Sequence, residues 1–163
     1  MISVVVVNYN SGPFLAECVG AALPHAGEIL VADNASRDMS IEACARQFAD
    51  EPRLRILRNE ANRGFAAACN IGFSQVQGDF VLFLNPDCRL DEAAVSELAQ
   101  ALQADPAAGM VGGLLTNPDG SEQGGGRRAI PTPWRSFVRA FGLHRFAHRW
   151  PKLFYDFHLH KQA

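Results

Sequence analysis

Seven residues near the start of the chain, SVVVVNY at positions 3–9, form an almost unbroken apolar, β-branched run. Such a run is typical of a strand that is buried on both faces of a parallel sheet. A helical pattern and a second apolar run follow, and this alternation repeats. The predicted strands span 3–9, 28–34, 53–59, 79–85 and 109–116. The predicted helices span about 13–22, 38–49, 64–76 and 91–103.

This alternation predicts an α/β fold, with a mostly parallel sheet that carries helices on both faces. The connections between parallel strands should be right-handed crossovers. In open sheets of this kind, ligands bind beyond the carboxyl ends of the strands, where the strand order reverses. We therefore expect any chemistry at the ends of the first, second and fourth strands.

Those three ends are all polar: NYN at 8–10, DNAS at 33–36 and NPD at 85–87. Each segment taken alone also has the residue types that favour a turn, and Asp91 could cap the helix that follows the third segment. Three polar segments that meet at one edge favour a binding site over three unrelated turns. We expect Asp33 and Asp87 to line one shared cavity.

Composition excludes several kinds of site. The only lysines are Lys152 and Lys161, so the chain lacks the lysine that a phosphate-binding P-loop, a receiver domain or a pyridoxal enzyme needs. No GxGxxG follows the first strand, which argues against a dinucleotide fold and weakens a methyltransferase interpretation. His25 is the only histidine before residue 144, so no Ser-His-Asp arrangement is credible. The net charge of −2 gives no sign of nucleic-acid binding.

The remaining acidic and amide residues suit a nucleotide diphosphate carried with its metal. Carboxylates such as Asp87 bind Mg²⁺ or Mn²⁺, often together with substrate phosphates. Arg63, just before Gly64 and a predicted helix, could meet a diphosphate through its charge and the helix N-terminus. Asp33 could accept hydrogen bonds from a base or a ribose.

Four ordered motifs carry a resemblance to a known family: VVVNYNSGPFLAECVGAA, ILVADNASRDMS, NRGFAAACNIG and FLNPDCRL. In this order and spacing they resemble the family 2 glycosyltransferases, and within these the rhamnosyltransferase-like branch with its Rossmann-like GT-A fold. The resemblance covers residues 2–90 well. It continues more weakly through GMVGGLLTNPDGSEQGGGRRAIPT at 109–132.

The resemblance implies inverting transfer of a sugar, rhamnose in that branch, from a UDP- or dTDP-linked donor to a saccharide or lipid-linked hydroxyl acceptor in cell-envelope synthesis. Asp87 stands at the last acid of the family's Asp-x-Asp motif and would hold the metal, while Asn85 replaces the first acid. The other residues that it implies for the nucleotide-sugar site are Val7, Asn8, Tyr9, Asp33, Asn62, Arg63, Gly64 and Asn70.

The same resemblance implies an aspartate base in a downstream Glu-Asp pair, and no such pair is present. After Glu122 the only acid is Asp156, whose surroundings do not match. We therefore expect an N-terminal or truncated portion of the family domain, with its catalytic base unassigned. One alternative is a nucleotide-diphosphate-binding module that is inactive alone, and another is an interaction protein on the same fold.

Charge divides the chain into two regions. From Arg127 onward there are eight Lys/Arg and one acid, whereas the first 126 residues carry seven basic and sixteen acidic side chains. We predict a nucleotide-sugar-binding core at 1–126 and a basic aromatic tail at 127–163. Within the tail, Trp134, Phe137, Val138 and Phe141 lie on one helical face.

That face has three candidate occupants: an anionic membrane surface, the rest of an unfinished domain, or a second copy of the chain in a homodimer. The N-terminus carries no signal-peptide pattern, and the dispersed cysteines suggest buried thiols. We expect a cytoplasmic protein, either free or peripheral at the inner face of the membrane.

Overall fold

A computed structural model describes residues 1–91, 93–123 and 132–154. The chain divides into two compact units, Met1–Val111 and Gly112–Ala163. The predicted boundary between residues 126 and 127, the arginine segment at 124–131 and Asp156 lie outside the described residues. The domain division made from charge therefore stays a prediction.

The first unit contains four strands and four helices in alternation. The strands are β1 (Ile2–Asn8), β2 (Glu28–Asp33), β3 (Leu54–Arg58) and β4 (Phe80–Leu84). The helices are α1 (Phe14–Ala22), α2 (Ser40–Gln47), α3 (Phe65–Phe73) and α4 (Ala94–Ala104), with a short 3₁₀ turn at Leu23–His25. All eight match predicted elements, with bounds that differ by up to three residues.

The four strands form one parallel sheet in the order β3-β2-β1-β4. β1 lies in the interior of the sheet, and helices bury both of its faces, which explains its unbroken apolar sequence. Alternate residues of β1 point to opposite faces of the sheet. Val4 and Val6 belong to a core cluster with residues of α1 and α2, while Val7 packs with Ala68 of α3. Helices therefore cover both faces, and the predicted α/β fold class is confirmed.

The predicted fifth strand is wrong. Residues 109–116 form no strand, and the described residues there make a single antiparallel bridge, from Thr116 to Glu122. Gly109, Gly112 and Gly113 provide no side chains to pack, and Met110 is 86% exposed. The segment has strand-forming residues, but no described strand lies beside it to complete a ladder.

The second unit contains α5 (Pro133–Ala140) and a 3₁₀ turn at Leu143–Phe146. Thr132 caps α5, because its hydroxyl oxygen accepts a hydrogen bond from the backbone N–H of Arg135 at 3.2 Å. The predicted tail helix is confirmed. None of the helices in the described ranges has the length and apolar content that a membrane-spanning segment needs.

Close packing of α3 on the sheet depends on Gly72. A Cβ atom at this position would lie 2.5 Å from Val5 Cγ1 of β1 and 3.6 Å from Leu30 Cδ2 of β2. We expect Gly72→Ala to destabilise the protein by about 1–3 kcal/mol, because overpacking outweighs the helix propensity that alanine adds. Urea denaturation followed by circular dichroism measures this change.

The matched control is Gly109→Ala, because nothing lies within 4 Å of a Cβ atom there. Equal stabilities for the two variants would contradict the close contact between α3 and the sheet.

Candidate functional site

The strand order determines where a ligand can approach the sheet. From β1 the chain moves to β2 and β3 on one side, and then crosses back to β4 on the other side of β1. The direction of winding thus reverses between β1 and β4. In a parallel sheet this reversal separates the loops that follow the two strands and opens a crevice at their carboxyl ends.

A cleft of about 600 Å³ lies at this point. It is lined by segments that follow β1 and β4, by the end of β2, and by the start of α3. The lining residues are Val7, Tyr9, Ser11, Phe14, Asn34, Asn62, Gly64, Phe65, Asn85, Pro86 and Asp87. The cleft therefore lies where the sequence predicted it, and six of the ten predicted site residues line it.

The side chain of Asn8 holds the base of the site together and does not line the cleft. It is fully buried, and its Nδ2 lies 2.9 Å from Asp33 Oδ1, 2.9 Å from Ser40 Oγ and 3.0 Å from Ser36 Oγ. The hydroxyl of Ser11 donates to Asn8 Oδ1. One amide thus connects the end of β1 to the loop that follows β2.

Asp33 also faces inward. Its Oδ1 accepts from Asn8, and its Oδ2 accepts from the backbone N–H of Ser36 at 3.2 Å. The residue is 4% exposed and is not among those that line the cleft. Asp87 therefore shares the cleft with Asn34, the neighbour of Asp33, and not with Asp33 as expected.

Asn34 positions the loop that leads into α3. Its Nδ2 donates to Asn62 Oδ1 at 2.8 Å, and its Oδ1 accepts from the backbone N–H of Arg63 at 3.0 Å. Asn62 Oδ1 also accepts from the N–H of Gly64 at 2.9 Å. These three bonds fix the N-terminus of α3 at the edge of the cleft.

Gly64 enters α3 through a backbone conformation that is essentially restricted to glycine. Its φ of +82° and ψ of 163° lie in a region that costs other residues about 1–3 kcal/mol. Nothing lies within 4 Å of a Cβ atom built there, so the constraint comes from the backbone and not from crowding. Arg63 is exposed, and its guanidinium has no partner among the described residues.

The segment 85–87 forms a tight turn after β4. The backbone N–H of Cys88 donates to the Asn85 carbonyl at 3.0 Å, and the Cys18 thiol of α1 donates to the same oxygen at 3.5 Å. Burial, followed by the charges of Cys88 and Asp87, raises the pKa of Cys18 to about 12, so this thiol keeps its proton. The turn leaves the Asp87 carboxylate exposed on the cleft wall.

The described residues contain no cluster of three or more metal-ligating His, Cys, Asp or Glu side chains. At the cleft, a metal would therefore find the Asp87 carboxylate and the amide oxygen of Asn85. This donor set fits a hard cation that keeps most of its sphere for water and phosphate oxygens. It does not fit a fully enclosed metal site.

The last predicted site residue, Asn70, is exposed on α3 and lies outside the cleft lining. Five lining residues were not among the predicted site residues: Ser11, Phe14, Asn34, Phe65 and Pro86. The two phenylalanines begin α1 and α3, directly after Pro13 and Gly64, and both are more than half exposed. The sequence signal for these two lining residues was a large aromatic side chain at the first position of a helix, next to a polar loop.

A carboxylate also joins the loops that follow β1 and β2. Asp38 Oδ2 accepts from the backbone N–H of Gly12 at 2.8 Å, and its Oδ1 accepts from the N–H of Ser40 at 3.2 Å and its hydroxyl at 2.5 Å. Burial raises the pKa of Asp38, but these hydrogen bonds favour the charged form and lower the pKa below 3.8 overall.

Comparison with known proteins identifies related chains. A family model described as glycosyl transferase family 2 matches residues 3–159. The chain is 34% identical over 115 residues to "Glycosyltransferase GlyG" of Streptococcus pneumoniae, covering 69% of this chain and 38% of the relative. It is 32% identical over 136 residues to an "N-acetylglucosaminyl-diphospho-decaprenol L-rhamnosyltransferase" of Mycobacterium tuberculosis, covering 74% and 43%. The chain thus spans about two fifths of the length of these curated relatives.

A solved structure also matches the fold. It is the mannosyltransferase PcManGT from Pyrobaculum calidifontis in complex with GDP-Man and Mn²⁺, with a TM-score of 0.64 and 25% identity. The match covers 72% of this chain and 36% of that one. The α/β sheet described above is therefore the Rossmann-like GT-A fold.

The buried amide of Asn8 gives the first test of the site. Because Asn8→Ala would remove every hydrogen bond that this buried amide makes to its polar partners, we expect a loss of about 2–4 kcal/mol in the free energy of unfolding. Urea denaturation measures it. Asn70→Ala, at an exposed helical position, should change stability by less than about 0.5 kcal/mol. Similar losses for both variants would contradict the network.

Asp38 gives a pH-dependent test. Because its folded pKa lies below 3.8, the carboxylate contributes stability above that value and loses it as the pH falls through the folded pKa. The stability difference between the native protein and Asp38→Asn should therefore be largest near neutral pH and shrink in acid. Denaturation across that range measures the difference, and a difference independent of pH would refute the prediction. Asp50→Asn removes an exposed carboxylate without a described partner and is the control.

Proposed function

The chain belongs to glycosyl transferase family 2, and we propose that its cleft binds a UDP- or dTDP-linked sugar whose glycosyl group is transferred, with inversion, to an acceptor hydroxyl. The observation that carries the proposal is the meeting of two groups at one cleft. Asp87 lies on one wall, and the N-terminus of α3 with Gly64 lies on another. A carboxylate for a cation and a helix terminus for an anion are what a metal-bound diphosphate requires.

The start of α3 supports a role in holding the diphosphate. The first N–H groups of a helix have no intrahelical acceptors, and the helix dipole favours negative charge there. The Gly64 N–H already donates to Asn62 and the Ala68 N–H to the Gly64 carbonyl, so Phe65, Ala66 and Ala67 offer the open donors. The exposed guanidinium of Arg63 adds a positive charge beside them.

A nucleotide also needs a surface for its base, and the apolar part of the cleft lining provides one. Val7, Tyr9, Phe14 and Phe65 give it aliphatic and aromatic walls, on which a planar base can stack. Asn34 also lines the cleft, but it is 2% exposed and its amide is engaged by Asn62 and Arg63, so we propose that it positions the cleft wall. Asp33 and Asn8 then act as positioning residues, because their side chains are engaged inside the protein.

Asp87 is the residue we propose as the protein ligand of a Mg²⁺ or Mn²⁺ ion, with Asn85 beside it. When bound there with the diphosphate, such an ion would neutralise charge on the departing phosphate oxygens. The Mn²⁺ named in the Pyrobaculum calidifontis complex supports a divalent metal in a protein of this fold.

The reaction proposed is a single displacement. The acceptor oxygen bonds to the anomeric carbon, the bond from that carbon to the diphosphate oxygen breaks, and the electron pair leaves with the diphosphate. Arg63 and the α3 amides would stabilise the charge that grows there. The acceptor proton passes to a general base, which we do not assign to any residue described at the cleft.

We propose rhamnose as the transferred sugar and a lipid-linked saccharide of the cell envelope as the acceptor. Support comes from the Mycobacterium tuberculosis relative, whose name specifies an L-rhamnosyltransferase and a diphospho-decaprenol acceptor. Donor competition among dTDP-rhamnose, UDP-N-acetylglucosamine and GDP-mannose tests this choice.

The metal proposal predicts the behaviour of Asp87→Ala. In calorimetric titration with UDP and dTDP, Mn²⁺ should strengthen nucleotide binding to the native protein. Asp87→Ala should lose that gain, with an affinity at least about tenfold lower in the presence of Mn²⁺, because one charged ligand is gone. Asp50→Ala is the matched control and should bind as the native protein does. Full metal-dependent affinity in Asp87→Ala would refute the assignment.

A transfer assay with a donor sugar and a range of hydroxyl acceptors distinguishes the enzyme from its alternatives. Transfer supports the proposed function. Nucleotide binding without transfer or hydrolysis would identify this chain as a binding module that is inactive alone. Absence of any nucleotide binding would refute the proposed use of the cleft.

A further inference from the structure

The second unit exposes an unusual number of large apolar side chains. Six of them lie between residues 134 and 153 and are between 42% and 66% exposed. They are Trp134, Phe137, Phe141, Phe146, Trp150 and Leu153. Together with the nearby cations Arg145, Arg149 and Lys152, we call them the aromatic–basic surface. Exposed apolar groups are normally scattered singly, and a concentration of this kind marks an interaction site.

Positive charge accompanies these apolar groups in the sequence. Residues 132–154 contain five Arg/Lys and no Asp or Glu. The Arg149 guanidinium lies 5.6 Å from the centre of the Trp150 ring. A groove of about 350 Å³ is lined by residues 149–153, which place two cations and an indole together. Such a surface suits a partner that is both anionic and apolar.

The surface is ordered by contacts within the unit. Val138 is fully buried. Trp134 stacks on Phe137 with ring centroids 5.5 Å apart, and Phe137 makes a tilted contact with Phe141, just after α5, at 4.5 Å. The indole N–H of Trp134 donates to the carbonyl of Leu153 at 2.7 Å. These ring contacts and this hydrogen bond therefore fix the positions of the aromatic side chains on the surface of the unit.

We propose that the aromatic–basic surface docks the protein on an anionic phospholipid membrane. Aromatic side chains are favoured at the membrane–water interface, and basic residues near it are attracted to anionic headgroups. Phe137 already packs against Trp134 and Phe141, which makes its ring less available for stacking on a nucleic-acid base. Five cations and no acid between residues 132 and 154 favour an anionic partner, and a lipid surface presents negative charge beside an apolar phase.

This proposal does not rest on the proposed function, because the cleft lies within the first unit and the surface within the second. Membrane docking and nucleotide binding can therefore fail separately. If both hold, the acceptor side of the reaction would take place at a lipid surface.

Vesicle flotation of the full chain tests the proposal. The protein should float with vesicles of phosphatidylcholine mixed with phosphatidylglycerol, and much less with phosphatidylcholine alone. Added salt should weaken the association, because screening shortens the reach of the surface potential. Equal binding to both kinds of vesicle, or binding to neither, would overturn it.

Two variants separate the apolar and the charged contributions. Phe141→Ser should lower the partition coefficient by about tenfold, since its ring no longer enters the interface. Arg145→Gln combined with Arg149→Gln and Lys152→Gln should lower it by on the order of 100-fold, about fivefold for each charge. The controls are Phe73→Ser and Arg46→Gln, which alter exposed residues of the first unit and should bind as the native protein does.

Nucleotide titration and circular dichroism on the same variants ensure that a loss of flotation is not a loss of fold. A dimer in sedimentation that Phe141→Ser dissociates, together with no flotation, would make the surface a contact between two copies and overturn the proposal. Competition of flotation by single-stranded RNA at low concentration would overturn it in favour of nucleic acid.

Discussion

The candidate site depends first on one buried amide. Asn8 ends the central strand, and its side chain contacts Asp33 and Ser40 across the neighbouring strand and loop. An amide suits this position because it both donates and accepts, so that Ser11 can bind its oxygen while the carboxylate takes its hydrogen. A hydrophobic residue here would take these hydrogen bonds away from buried polar partners, and the loops that follow β1 and β2 would lose their common anchor.

A second layer of contacts builds the cleft on this base. Asn34 and Asn62 fix the entrance to α3, while the thiol of Cys18 reaches the carbonyl of Asn85 beneath the opposite wall. The two walls thus depend on different helices, α3 for one and α1 for the other. The reversal of strand order separates them enough for a ligand to enter. The chemistry proposed for the site follows from what these two walls present.

Much of this arrangement was predictable from sequence because it depends on local pattern. Buried parallel strands have long apolar runs, and polar residues directly after them must lie at one edge of the sheet. Residues 109–116 show the limit, since a strand needs a partner and no pattern within the segment reveals whether one is present. Asp33 shows another limit: its carboxylate is held inward by hydrogen bonds from Asn8 and from the N–H of Ser36, while Asn34 lines the cleft, and no local pattern reveals this difference.

The bonds among Asn8, Asn34 and Asn62 have a thermodynamic consequence. Loops that are cross-linked in this way lose their conformational freedom when the chain folds and not when a ligand arrives. A nucleotide entering the cleft would then meet a preorganised receptor and would have to immobilise few protein rotamers beyond those of Arg63 and Asp87. The entropy of association should accordingly be dominated by the ligand and its water, with little contribution from the polypeptide.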